Sequence, residues 1–318
     1  MFIKTYLVIF LKLISVLALT ESSPNIGMGH LVRSAQLLTC LDSNKFKFKI
    51  IGEINSTPTW INNFTISNVS FNNLDIEEVN QHDLVVFDSY NYRDILSKIS
   101  TNKLLINDLN YLNTENYDIV LDYNIGSSKD LYKEKSLRLV DPNFFPISES
   151  SLPEYINKCR NAFDEEGDIL LSFGGVSDEK LINIKNEIKY YSNYGRVVLM
   201  DPLSKLGKFN NQVYKLISGK SLSDVFSNYK FKFCKVAGGT SKYIAMTYKV
   251  PIIYVYRNLL EKILIDKVAE RQLLIYEDKI SSKSDFNNNL INLHNKYKNL
   301  FDNNLNDELS KKIINKLK

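Results

Sequence analysis

A chain of 318 residues, 44% hydrophobic and 24% charged, holds material for two globular domains of about 150 residues each. Its net charge of +4 comes without a basic block interleaved with aromatics, which argues against a nucleic-acid-binding surface. Three widely spaced cysteines, Cys40, Cys159 and Cys234, form no CxxC pair and argue against both a disulfide framework and a zinc centre.

Residues 1–19, MFIKTYLVIFLKLISVLAL, form an apolar run broken by Lys4 and Lys12. A signal peptide can read this way, but no small-x-small cleavage pattern follows before Glu21. The run is also too short and too broken for a membrane span. The expectation is a buried strand over 12–19, a cytoplasmic protein and no stable membrane insertion.

Further strands are expected at 46–52, 83–90, 103–108, 117–123 and 136–141, with helices at 29–40, 73–80 and 92–100. Several strands are apolar throughout, as strands covered on both faces of a parallel sheet are. Between Asp141 and Gly167 the alternation lapses into DPNFFPISESSLPEY, which reads as a linker. A second alternation follows. Strands are expected at 167–175, 196–201, 212–217, 231–239 and 250–256. Helices are expected at 178–191, 221–229, 240–249, 258–270 and 285–298, with a last one from Asp307. Strands separated by helix-length segments predict βαβ units. The predicted architecture is α/β: two doubly wound, Rossmann-like domains over 1–150 and 151–318.

Three glycine turns stand between the end of a strand and the start of a helix: Gly27-Met28-Gly29-His30, Ser172-Phe173-Gly174-Gly175 and Ala237-Gly238-Gly239-Thr240-Ser241. Ligands of open α/β sheets bind outside the carboxyl ends of the strands. Amides at a helix start attract anions, phosphate above all. Each turn alone also reads as a plain βα connection. The three together point to a phosphate-bearing ligand.

His30, one of three histidines, falls in the first helical turn, where the positive helix terminus favours a neutral imidazole able to take a proton from water. Arg33 follows on the same face, where it can meet a carboxylate or phosphate. Asp88 and Tyr90 end an apolar strand and should emerge at the same edge, as should Asp108 after the next strand. His82 and His294 lie in polar flanks and read as solvated side chains. No metal-ligand spacing is present.

The segments GMGHLVR, FDSY, LLSFGG and AGGTS, in this order along most of the chain, resemble the PseG family. These hydrolases of pseudaminic acid biosynthesis remove UDP from UDP-2,4-diacetamido-2,4,6-trideoxy-β-L-altropyranose. The family is similar to MurG-type glycosyltransferases. The resemblance therefore implies a GT-B arrangement with an interdomain cleft and no required metal or cofactor. By the same resemblance His30 is the catalytic base, and Gly29, Arg33, Asp88, Tyr90 and Asn258 contact the substrate. Gly174, Gly175, Gly238, Gly239, Thr240 and Ser241 would hold the nucleotide of a UDP-sugar. Ile244 stands where the family carries a ribose-holding Glu, preceded by Lys242 and Tyr243. Three activities stay open: a nucleotide-sugar hydrolase, a glycosyltransferase on the same fold, and a non-catalytic nucleotide-sugar binder.

Overall fold

The computed structural model describes residues 12–23, 27–41, 44–61, 63–89, 93–107, 114–132, 135–147, 161–172, 178–201, 214–236, 239–254, 262, 266, 268–277, 283–300 and 306–318. Seven parallel strands form the first sheet: β1 (Ile14–Ser22), β2 (Phe46–Ile54), β3 (Thr65–Asn68), β4 (Leu84–Asp88), β5 (Asn102–Ile106), β6 (Ile119–Asp122) and β7 (Leu137–Val140). Their order is β3-β2-β1-β4-β5-β6-β7. The second sheet has six parallel strands: β8 (Phe163–Ser172), β9 (Val197–Asp201), β10 (Tyr214–Ser218), β11 (Phe231–Val236), β12 (Ile252–Tyr254) and β13 (Ile275–Tyr276). Its order, β10-β9-β8-β11-β12-β13, repeats the topology of the first.

The helices are α1 (Gly29–Cys40), α2 (Ile76–Asn80), α3 (Arg93–Leu96), α4 (Asp178–Tyr191), α5 (Leu222–Asn228), α6 (Gly239–Thr247), α7 (Lys283–Leu300) and α8 (Asn306–Leu317). Among the described residues, none is long and apolar enough to cross a membrane.

The central strand shows why the apolar runs fold this way. Val16 to Leu19 are completely buried, so β1 is covered on both faces. Val16 and Ala18 pack in one cluster with Leu31, Ala35 and Leu38 of α1. Leu17 and Leu19 pack on the other face with Phe87, Leu105 and Val120. In the second unit Ser221 caps α5 by accepting from the Asp224 amide, and Asp224 accepts from the Ser221 amide in return.

Several elements differ from expectation. The helix expected at 92–100 is the single turn α3. The Ser100 amide bonds instead to Asn80 Oδ1 at 2.8 Å, which ties the segment to the end of α2. β3 and β13 have four and two residues, too short to show a period in sequence. β8 starts at Phe163, ahead of the apolar stretch, through a largely exposed acidic segment.

Neither flanking histidine is freely solvated. His294 is buried, stacks on Phe163 at 4.3 Å and approaches the Lys249 carbonyl through Nδ1 at 2.9 Å. His82 Nδ1 lies 2.7 Å from Ser15 Oγ. Burial lowers the pKa of both rings.

The carboxyl edges of the two sheets face each other. Thr59, beyond β2, donates to the carbonyl of Gly219, beyond β10, at 3.1 Å. Tyr243 of α6 reaches the segment after β6. Its hydroxyl donates to Asn124 Oδ1 at 3.1 Å and accepts from the Ile125 amide at 3.3 Å. Its ring packs against Tyr123 and Phe145. At the chain's end α8 returns to the first unit. Leu309 and Ile313 join the core of α1, and Lys312 Nζ lies 5.4 Å over the Phe144 ring.

Candidate active site

Both sheets reverse strand order beside their first strand, and α1 begins at that reversal in the first sheet. β1 ends in Thr20-Glu21-Ser22, and the chain then turns. Gly27 donates to the Ser23 carbonyl at 2.7 Å, and Ser23 donates back at 3.3 Å. Gly27 adopts φ +86°, a left-handed conformation that favours glycine. Gly29 has no positive φ, and a Cβ at either glycine would meet nothing within 4 Å. The first glycine makes the turn, and both leave open space beside the helix start.

His30 lies in the first turn of α1 and is 5% exposed. Its Nδ1 is 3.6 Å from Oε1 of Glu21, which is 1% exposed. The positive end of α1 and the Glu21 carboxylate act on the ring in opposite senses. An expectation of neutral imidazole based on the helix terminus alone omits Glu21. A carboxylate facing one ring nitrogen orients the imidazole and leaves the other nitrogen for proton transfer. Sequence reading missed Glu21, although its signal is the one that singled out Asp88: a carboxylate ending an apolar strand.

Arg33 and Asp88 bind each other. Arg33 Nε donates to Asp88 Oδ2 at 3.0 Å and Nη2 to Oδ1 at 2.5 Å. Both side chains are buried. Ser34 Oγ adds a contact to Oδ2 at 3.5 Å, and Thr20 Oγ1 donates to the Asp88 carbonyl at 3.1 Å. A bidentate pair committed this way fastens α1 to β4 and positions His30.

A second polar group escaped sequence reading. Asp122, fully buried at the end of β6, accepts from Ser127 Oγ at 2.6 Å and from the Tyr132 hydroxyl. Its other oxygen accepts from the Asn124 amide and from Asn124 Nδ2, both at 2.9 Å. Burial raises the Asp122 pKa, and these hydrogen bonds partly oppose the shift. Burial and the neighbouring carboxylate raise the Tyr132 pKa well above its usual range. Asn107 donates to the Tyr132 hydroxyl at 2.8 Å. Through Asn124 this network meets Tyr243, so it joins the first sheet's edge to α6.

On the opposing side α6 starts at Gly239, directly after the third glycine turn. Thr240 is buried, and its Oγ1 has no hydrogen-bond partner among the described residues. Ser241 is half-buried beside it. Lys242 is 1% exposed, with Nζ 4.4 Å from the centre of the Tyr243 ring. Ile244 is buried in the core, so no carboxylate stands at its position. Tyr90, Asp108, Gly174, Gly175, Gly238 and Asn258 lie outside the described residues. The structure thus brings together Gly29, His30, Arg33 and Asp88 at one edge, and Gly239, Thr240 and Ser241 on the helix facing that edge.

No protein-family model matches the chain, and no curated protein matches it in sequence. Solved structures do match its fold. The glycosyltransferase SnogD from Streptomyces nogalater aligns over 94% of this chain and 99% of its own, with a TM-score of 0.57 and 8% identity. UGT2 of Phytolacca americana, solved with UDP-2-fluoro-glucose and pterostilbene, aligns over 96% and 99%, with a TM-score of 0.59 and 9% identity. A Listeria monocytogenes protein described as a UDP-N-acetylglucosamine 2-epimerase aligns over 95% of both chains, with a TM-score of 0.54 and 13% identity. The fold is GT-B: two Rossmann-like units with parallel sheets flanked by helices.

Proposed function

We propose that the chain is a metal-independent hydrolase that releases UDP from a nucleotide-activated amino sugar. The product would feed synthesis of a pseudaminic-type nonulosonic acid or another surface-glycan precursor. One observation carries this reading: His30 sits beside Glu21 at the start of α1, on a sheet edge that faces α6. The fold neighbours support a nucleotide-sugar ligand, since one of them was solved with UDP-2-fluoro-glucose.

In this mechanism water attacks the anomeric carbon while its bond to the diphosphate oxygen breaks. His30 takes a proton from the water, and Glu21 stabilises the imidazolium that forms. The bonding pair leaves with UDP. Amides at the start of α6, from Gly239, Thr240 and Ser241, stabilise charge growing on the diphosphate. By the sequence resemblance Gly174, Gly175 and Gly238 would add to that cradle, and Tyr90 and Asn258 to the sugar contacts. A nucleoside diphosphate is a good leaving group, so a positioned base is the larger need.

A glycosyltransferase is the second reading, favoured by the neighbours described as glycosyltransferases. The same base would then deprotonate an acceptor hydroxyl. The test is UDP release by the purified chain from UDP-2,4-diacetamido-2,4,6-trideoxy-β-L-altropyranose and common UDP-sugars, with and without acceptors. Release without acceptor, lowered about 100-fold or more by His30→Ala at unchanged melting temperature, is expected. Release only with acceptor selects the transferase. Full activity in the alanine variant removes His30 from the chemistry, and UDP binding without release leaves a non-catalytic binder.

A further inference from the structure

The first sheet ends in a change of chemistry that falls on one level. Leu19, Phe87, Leu105 and Val120 stand side by side across β1, β4, β5 and β6, all fully buried. Two residues further on, the same face of the same strands carries Glu21, Ser89, Asn107 and Asp122. The register supports the alignment. Thr20 pairs with Asp88, Phe87 with Leu105 and Ile106 with Leu121, and continuing each ladder one or two residues brings the four polar side chains level. All four are buried. Glu53 extends the row onto β2, but it is occupied by Ser70 Oγ at 2.9 Å and the Phe71 amide.

A buried polar row above an apolar one is unfavourable unless each group is matched. Asp122 is matched by Ser127, Tyr132 and Asn124. It thereby fixes Tyr132, which fixes Asn107 Nδ2. Asn107 Oδ1 remains: it is buried, 1% exposed at the side chain's residue, and has no hydrogen-bond partner among the described residues. Three strands away from Asp122, Glu21 brings a carboxylate within 3.6 Å of His30. The row therefore offers acceptors at both ends of its central stretch. With strands about 4.8 Å apart, Glu21 and Asn107 are separated by roughly 10 Å, a span that a substituted pyranose fills.

We propose that Glu21, Ser89 and Asn107 form the floor of a sugar subsite, which accepts hydrogen bonds from hydroxyl or amide N–H groups on the ring, with Asp122 holding Asn107 in place. This rests on the reading of the chain as a nucleotide-sugar enzyme and adds what it recognises in the sugar. An acceptor-lined floor selects sugars that present donors, so N-acylated amino and hydroxylated positions fit and deoxygenated ones do not. It also sets the sugar against His30 while the nucleotide rests on the opposite lobe.

The test is calorimetric binding of UDP, UDP-N-acetylglucosamine, UDP-N-acetylgalactosamine and UDP-glucose to the full chain and to Asn107→Leu and Glu21→Gln. At least one sugar nucleotide should bind more tightly than UDP. Each variant should reduce that gain about three- to tenfold while leaving UDP affinity unchanged. Unchanged UDP affinity also shows that the variant is folded, and if Asn107→Leu does not fold, Glu21→Gln and Ser89→Ala carry the test. A gain unmoved by the folded variants overturns the subsite alone, as does the absence of any gain. Failure of the wild-type chain to bind UDP overturns the nucleotide-sugar reading itself.

Discussion

Arg33 holds Asp88 through two hydrogen bonds, at 2.5 and 3.0 Å, with both side chains buried between α1 and β4. Three residues before Arg33 on the same helix is His30, so the pair sets where the imidazole stands. Breaking a buried ion pair from one side leaves an uncompensated charge, at a cost of about 3–5 kcal/mol. Arg33→Met should lower unfolding free energy by that order in urea titration. The double variant Arg33→Met/Asp88→Leu should recover part of it, because no lone charge remains. A loss below about 1 kcal/mol in the single variant would show that the pair does not anchor α1.

The two glycines of the first turn should separate stability from activity. Gly27 holds φ +86°, so Gly27→Ala places a side chain in a left-handed conformation and should cost about 1–2 kcal/mol. Gly29 has no such requirement and open space at its Cβ position. Gly29→Ala should fold with stability within about 1 kcal/mol of wild type. If substrate approaches the backbone there, UDP release falls in this folded variant. Equal melting temperatures for the two alanine variants would contradict the assignment.

What the sequence made legible was local. Runs such as LVVF and ISVLAL announce buried strands, and the glycine turns mark where strand becomes helix. Registers between strands are not local, and the polar row depends on them. Asn107, Asp122 and Tyr132 meet only because β5 and β6 pair with Ile106 beside Leu121. Glu21 sits in LALTESSP, where a strand end and a polar loop look alike. Arg33 was legible as a cation that could meet a carboxylate, but the carboxylate it meets, Asp88, lies 55 positions away. His294 has polar neighbours along the chain, and only the packing of α7 against β8 brings Phe163 over its ring.

His294 and His82 give the fold a defined response to acid. Both rings have pKa values lowered from 6.5, chiefly by burial. For His294 the nearby Lys298 and Lys249 charges add to the lowering, and its hydrogen bond to the Lys249 carbonyl opposes it. The folded chain therefore resists protonation that the unfolded chain accepts. The stability contributed by these rings is present above about pH 6.5 and is lost as pH falls through their depressed folded values. His294→Gln removes one such site, so its urea midpoint should fall less than that of wild type between pH 7.5 and 5.5. An equal fall in both proteins would assign the acid response elsewhere.

Glu21→Gln tests whether the carboxylate serves the chemistry or only the fold. The substitution keeps the side chain's size and one carbonyl oxygen, and removes the charge 3.6 Å from His30 Nδ1. If His30 takes a proton from water, the imidazolium loses its stabilising partner. The rate constant for UDP release should then fall about 10- to 100-fold, with UDP affinity unchanged. A structural role alone would lower melting temperature and leave the rate constant intact. A variant that melts lower but turns over at the wild-type rate would therefore confine Glu21 to packing at the end of β1.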